Sequence, residues 1–206
     1  MKIQALTSVL LPISIMANPA EIVRAADECE WLGANYGQDI NCLPGWVSSG
    51  ICSSGRRSDC KEGRRSASYF SMLKCCPTKY FSSGQQNCVQ TGFSKGNDQM
   101  CGKTNDDGSF TTQGLYGICG SGMNDDCKVN GNKYTGSQTC CDNSDIKVSS
   151  QESCGWRYGN YGDMVSCPSG YIAAGFCGSS NNPECDSGAQ NSFTGVMCCP
   201  FTDVRS

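Results

Sequence analysis

The chain of 206 residues contains no histidine. That absence removes the Ser-His-Asp and Cys-His catalytic arrangements and the commonest general base. It also removes every histidine-containing zinc site. No Cys-x-x-Cys pair is present to build an all-cysteine zinc site or a thioredoxin-like redox motif, so no metal or other cofactor is expected. Charge is scarce: Asp, Glu, Lys and Arg make up 17% of residues, with a net charge of −3. An acidic balance of this kind argues against nucleic acid as a partner. Apolar residues reach only 38%, a figure that includes all 18 cysteines. No Asn-x-Ser/Thr acceptor occurs, so N-glycosylation is not expected. The one sustained apolar stretch, at 6–16, is too short to span a bilayer, and no membrane span is expected. Behind the positive Met1-Lys2 end it reads as a secretory signal over residues 1–25, with Ala17 and Ala25 as candidate cleavage positions.

What the chain does have is cysteine on a repeating ruler. The sets are Cys29, Cys42, Cys52, Cys60, Cys75, Cys76; Cys88, Cys101, Cys119, Cys127, Cys140, Cys141; and Cys154, Cys167, Cys177, Cys185, Cys198, Cys199. First to second cysteine is 13 residues in every set and third to fourth is 8; each set closes with an adjacent pair. One disulfide-stapled unit, present three times, accounts for these spacings. Units of about 50 residues with so few aliphatic side chains fold poorly on apolar burial alone. Disulfides offset the deficit at roughly 2–4 kcal/mol each. They need an oxidising compartment, so the product is expected to be secreted and extracellular. The even count is consistent with no free thiol. Pairing within a set stays open, except that neighbours such as Cys75 and Cys76 are expected to bond different partners, because bridging them would strain the backbone.

Other features follow the same ruler. Trp31 and Trp156 stand two residues after the first cysteine, where the second repeat has Gln90. Tyr36-Gly37, Lys95-Gly96 and Tyr161-Gly162 come next. Gly50-Ile51, Gly117-Ile118 and Gly175-Phe176 precede the third cysteine, and Asp59, Asp126 and Glu184 precede the fourth. The repeats are placed at 26–80, 81–145 and 146–206, with polar linkers at 78–87 and 143–153 and a tail at 201–206. The second repeat carries eight extra residues between its second and third cysteines, within 102–114, read as a protruding loop. Short apolar runs at 46–52, 69–75, 171–177 and 193–198 are strand-sized and bounded by Gly, Pro, Asn and Ser. No stretch beyond the leader holds a helical apolar period. The expectation is an all-β chain whose three repeats bury faces against one another about a pseudo-threefold axis. Three separate beads on a string is the rival.

The third repeat reads Cys154-Gly155-Trp156-Arg157-Tyr158-Gly159-Asn160-Tyr161-Gly162, then Cys167-Pro168-Ser169-Gly170-Tyr171, then Gly175-Phe176. The first matches through Trp31, Tyr36-Gly37, Cys42-Leu43-Pro44-Gly45 and Cys75. In these motifs the chain resembles the vitelline membrane outer layer protein family. The resemblance implies a β-prism of three four-stranded sheets, and a secreted coat protein with carbohydrate contact. Six cysteines per repeat is denser than that family's pattern, and its paired aspartates are matched only by Asp125-Asp126. The resemblance carries over architecture and no catalytic residue.

Without histidine, catalysis would fall to carboxylates, as in many glycosidases. Asp59, Asp126 and Glu184 recur in every repeat, which suits turn capping better than a single asymmetric active site. Asn105-Asp106-Asp107-Gly108 lacks the remaining ligands of a calcium loop. Binding has better candidates. Trp31, Tyr36, Trp156, Tyr158 and Tyr161 could stack on sugar rings, with Arg157 beside them; the rival role for each tryptophan is packing on its own repeat's disulfides. Residues 29–79 hold seven basic against four acidic side chains. Arg56, Arg57, Arg64 and Arg65, with Lys61, form a basic loop that could meet an acidic polysaccharide or cell surface, or simply be solvated. The expected function is therefore non-enzymatic: binding of a polysaccharide or cell-surface glycan, lectin-like or as a coat component. The alternative is an effector or protective protein acting through a protein partner, and a carboxylate-dependent glycoside hydrolase ranks third.

Overall fold

The computed structural model describes residues 29–53, 59–61, 68–77, 85–94, 96–106, 110–120, 125–143, 146–160, 162–178, 185–186 and 191–203. The expected leader at 1–25 lies outside them, as do Arg56, Arg57, Arg64, Arg65, Tyr161 and Glu184. The described residues are built of strands, with one 3-10 turn at Gln151–Ser153 and no α-helix. No helix among them is long and apolar enough to cross a membrane.

The first repeat supplies β1 (Glu30–Ala34), β2 (Asp39–Asn41), β3 (Trp46–Ser53) and β4 (Ser71–Pro77). The second supplies β5 (Gln86–Phe93), β6 (Gln99–Met100), β7 (Gly102–Thr104), β8 (Phe110–Thr112), β9 (Gly114–Gly120), β10 (Cys127–Val129), β11 (Asn132–Tyr134) and β12 (Gly136–Asp142). The third supplies β13 (Ile146–Val148), β14 (Gly155–Gly159), β15 (Val165–Ser166), β16 (Tyr171–Gly178), β17 (Cys185–Asp186), β18 (Asn191–Ser192) and β19 (Thr194–Asp203). All pairings are antiparallel. Three main sheets share one strand order: β1-β4-β3-β15, β5-β12-β9-β2 and β14-β19-β16-β6. In each, three strands come from one repeat and the fourth from another. β2 of the first repeat joins the second repeat's sheet, β6 of the second joins the third's, and β15 of the third joins the first's. This cyclic exchange is something beads on a string could not make, and it is compatible with the prism that the resemblance implies.

Two residues per repeat make the exchange possible. β3, β9 and β16 each bulge against the last strand of their repeat, leaving Ser49, Tyr116 and Ala174 out of register. A bulge frees a carbonyl from the ladder. Here the freed carbonyls of Tyr116, Ala174 and Ser49 accept from the backbone N–H of Cys42, Cys101 and Cys167 at 2.8, 2.8 and 2.7 Å. The next residue is the glycine of the recurring Gly-Ile and Gly-Phe pairs. A Cβ at Gly50 would lie 2.8 Å from the Val165 carbonyl, and one at Gly175 would lie 2.6 Å from the Gln99 carbonyl. A Cβ at Gly117 would meet the Asn41 side-chain amide and lie 3.0 Å from the Ile40 carbonyl. Those glycines exist to let the incoming strand approach.

The disulfides pair first with sixth, second with fifth and third with fourth cysteine in every repeat. The adjacent cysteines do bond different partners, and no cysteine is free. Cys42–Cys75, Cys101–Cys140 and Cys167–Cys198 start beside an exchanged strand and end in the last strand of the same repeat. Each thus ties two sheets together covalently. All three lie in or against the main core with Ile40, Ile51, Leu73, Phe93, Leu115, Ile118, Phe176 and Val196. Two expectations need correction. The insertion at 102–114 is a β-hairpin, β7 on β8, rather than an irregular loop. The linker at 143–153 and the tail at 201–206 are partly ordered as a pair, since β13 runs beside Phe201–Asp203 at the end of β19.

Replacing Gly175 with Ala is expected to cost about 1–3 kcal/mol by overpacking, while Gly155→Ala, on an edge with open space, should leave the melting temperature unchanged; calorimetry checks both. Removing Cys101–Cys140, which closes 39 residues, should cost about 4 kcal/mol, against about 2.5 for the 8-residue Cys119–Cys127 loop. Denaturant unfolding of the two double-serine variants measures that order.

Candidate binding clefts on the second repeat

The aromatic candidates are largely engaged in the frame. Trp31 is half-buried and packs with Tyr69 on Cys52, Cys60 and Met72, over its own repeat's disulfide. Trp156, also half-buried, packs on Ala174, Met197 and Cys199, and its ring stacks on Tyr158 with centroids 5.8 Å apart. Tyr158 lies over Gly195 and donates to Asp98 Oδ2 at 2.7 Å. Tyr69 and Tyr134 cover Gly33 and Gly92 in the same manner, so a tyrosine over a glycine seals the outer face of each sheet. Tyr36 is half-buried, edge-on to Phe70 at 4.5 Å. Arg157 is exposed, on the opposite side of β14 from Trp156 and Tyr158 by strand alternation. The structure therefore brings Trp156 and Tyr158 together and separates Arg157 from them. Asp59 and Asp126 sit against the left-handed glycines Gly162 and Gly37 of neighbouring repeats.

The second repeat is built differently at four matched positions. Trp31 and Trp156 correspond to Gln90; Ile40 and Val165 to Gln99; Trp46 and Tyr171 to Gln113; Leu73 and Val196 to Gln138. Gln90 uses its amide to bridge the sheet, donating to Asp39 Oδ1 at 3.2 Å and Ser137 Oγ at 3.3 Å. Where Trp46 packs against the core of the first repeat, Gln113 instead faces Asp142. The opening is framed by the hairpin β7–β8, which the other repeats lack.

A cleft of about 240 Å³ results, lined by Asn87, Val89, Thr91, Met100, Gly102, Lys103, Gln113, Cys140 and Asp142. Asn87, Val89 and Thr91 share one face of the edge strand β5, opposite Cys140 and Gln138 on β12. Val89 is 54% exposed, a large apolar side chain turned to solvent. A second cleft of about 470 Å³ adjoins it, lined in part by Thr111, Thr112, Asn143, Ile146 and Val148. Lys103, Gln113 and Asp142 line both.

Asp142 is the hub. Its Oδ1 accepts from Gln113 Nε2 at 2.9 Å; its Oδ2 accepts from Asn87 Nδ2 at 3.1 Å and Lys103 Nζ at 3.2 Å. Partial burial works against its charge. The hydrogen bonds from Gln113, Asn87 and Lys103, with the Lys103 charge, outweigh that, and the carboxyl sits below the ordinary Asp value of 3.8. The arrangement presents amides, an ammonium and a fixed carboxylate around an apolar floor. Among the described lining residues Asp142 is the single carboxylate, and it is held ionised. Sequence reasoning missed Asn87, Val89, Thr91, Lys103, Gln113 and Asp142. The signal that could have found them is the coincidence of the insertion with the glutamine at 113. The grouping of Asp98 with Cys177 and Cys185 offers no metal site, because both sulfurs belong to one disulfide.

Comparison of the chain with protein-family models, with curated proteins and with solved structures finds no match.

A depressed carboxyl pKa stabilises the fold above the ordinary value, and the contribution is lost as pH falls through the folded-state value. Asp142→Asn should therefore lower the melting temperature at pH 6, with the gap to the parent chain narrowing as pH falls below 3.8; calorimetry across that range checks it.

Proposed function

We propose that this protein is a non-enzymatic, exported recognition protein that binds a polysaccharide or cell-surface glycan at the two clefts beside its second repeat's hairpin. Export is supported by nine disulfides, which persist in oxidising surroundings, and by the leader-like start of the sequence. The observation that carries the binding reading is the Asp142 hub beside Val89 and Met100. Amide and carboxylate groups fixed by mutual hydrogen bonds can exchange bonds with sugar hydroxyls, and an apolar floor receives the C–H face of a ring. Acid-base hydrolysis of a glycosidic bond uses two carboxyls, one of them kept protonated; Asp142, the one carboxylate among the described lining residues, is paired with Lys103 and suited to holding a ligand.

Recognition of a protein partner is the second reading. It is favoured by β5, the edge of its sheet, which exposes Val89 and Thr91 and could accept an added strand.

Glycan-array binding separates the two. Val89→Arg, at an exposed position, should abolish glycan binding without lowering the melting temperature. Trp156→Ala should instead cost about 1–3 kcal/mol of stability through lost packing and leave the affinity of the folded protein intact. Absence of binding to every glycan, with capture of one protein by the parent chain and not by Val89→Arg, would move the conclusion to the second reading.

A further inference from the structure

Resting on the glycan-binding reading, we propose that the two clefts are consecutive subsites for a neutral oligosaccharide of at least two sugar units, laid across the wall formed by Lys103, Gln113 and Asp142. Three observations point there. The clefts share those three residues and lie side by side. At about 240 and 470 Å³, one is below and the other near the lower end of the roughly 300–1,000 Å³ usual for a ligand pocket. Each therefore suits a sugar unit or two, and a longer chain would have to use both.

The second cleft also contains an unsatisfied group. Thr112 is 7% exposed, and its Oγ1 has no hydrogen-bond partner. A buried hydroxyl left unpaired is costly, and native structures pair nearly all such atoms. Thr112 lines the second cleft; its Oγ1 is closed to solvent as it stands, so in this proposal the side chain turns about χ1 on binding to give its hydroxyl to the ligand. Gln113, 5% exposed, holds the wall between the clefts through Asp142. Its burial fixes the amide, so the wall is preformed rather than assembled on binding.

At the shared wall the described charges balance, which favours a neutral chain. Lys103 and Asp142 offset one another at 3.2 Å. Among the described lining residues the remaining charge is Lys147, exposed on the second cleft, where solvent and salt screen it. An acidic sugar would meet Asp142 at the wall without a free cation within it.

Titration calorimetry on the whole chain tests this, using glucose, mannose and N-acetylglucosamine, each as monomer, dimer and tetramer, with a galacturonate tetramer as the acidic arm. Affinity for one neutral series should rise by roughly tenfold or more from monomer to tetramer, above that for galacturonate. Val89→Arg should abolish binding of monomer and tetramer alike. Thr112→Val, which removes the unpaired hydroxyl at constant shape, should weaken the tetramer roughly 3- to 10-fold while leaving the monomer unchanged and the melting temperature equal or higher. A purely structural Thr112 would not produce that split. No binding of any sugar overturns the glycan reading and this proposal together. Binding without length dependence, a preference for galacturonate, or full affinity in Thr112→Val overturns the subsite proposal alone.

Discussion

The structure depends on the coupling between each exchanged strand and the disulfide that follows it. A two- or three-residue strand such as β2, β6 or β15 makes too few ladder bonds to hold a foreign sheet by itself. The bulge carbonyl opposite the second cysteine adds one more bond. The second-to-fifth disulfide then prevents the strand from drifting away from its own repeat. Because every exchange hands a strand from one repeat to another and the last returns to the first, loosening any one opens a sheet edge in a neighbour. The three inner disulfides also supply much of the central packing, standing where a larger protein would place aliphatic side chains. That explains how a chain with 38% hydrophobic residues, cysteine included, builds a core at all.

Much of this was legible in the cysteine ruler, for a physical reason. Disulfide geometry tolerates little change in spacing, so repeated spacings report repeated folds. The glycines ahead of the third cysteine were equally visible, but not their meaning: Gly50, Gly117 and Gly175 are forced by backbone arriving from another repeat, and nothing local announces that arrival. The exchanged strands were unreadable because Asp39–Asn41 or Val165–Ser166 is shorter than any hydrophobic period. The insertion at 102–114 read as a loop because polarity and glycine dominate it, whereas β7 and β8 hold by backbone pairing and by contacts such as Asn105 Nδ2 to Thr111 Oγ1 at 2.9 Å. The Asp142 hub was hidden for the same reason as the strand exchange. Its partners stand 55, 39 and 29 residues away along the chain.

Four glutamines of the second repeat, Gln90, Gln99, Gln113 and Gln138, are where the sequence departs from its own pattern. Gln138, at a position held by Leu73 and Val196 in the other repeats, gives up apolar burial and leaves its Oε1 unpartnered, although it lines neither cleft. Local choices that weaken the fold concentrate where a site is being kept. Gln113 in place of a tryptophan or tyrosine opens the space that the clefts occupy, and Gln90 replaces aromatic packing by a hydrogen-bonded bridge that leaves the outer face thinner. A frame repeated three times can bear such losses in one repeat because the other two keep apolar residues at the matched positions and all three strand exchanges are still made.

The aromatic residues belong to that same division of labour. A tyrosine ring laid over a glycine seals a pleated face where the missing side chain would leave backbone open to water. The third repeat does this with the partners exchanged: Tyr158 lies on the first strand over Gly195 on the last, whereas Tyr69 and Tyr134 reach over Gly33 and Gly92 on first strands. Both solutions give the same cover. Rings engaged in this way are poorly placed to grip a ligand. Binding is therefore proposed at the second repeat, whose edge strand keeps Val89 bare. Stapled walls around it lose little conformational freedom on binding, so weak contacts to a flexible saccharide can still sum to a useful affinity.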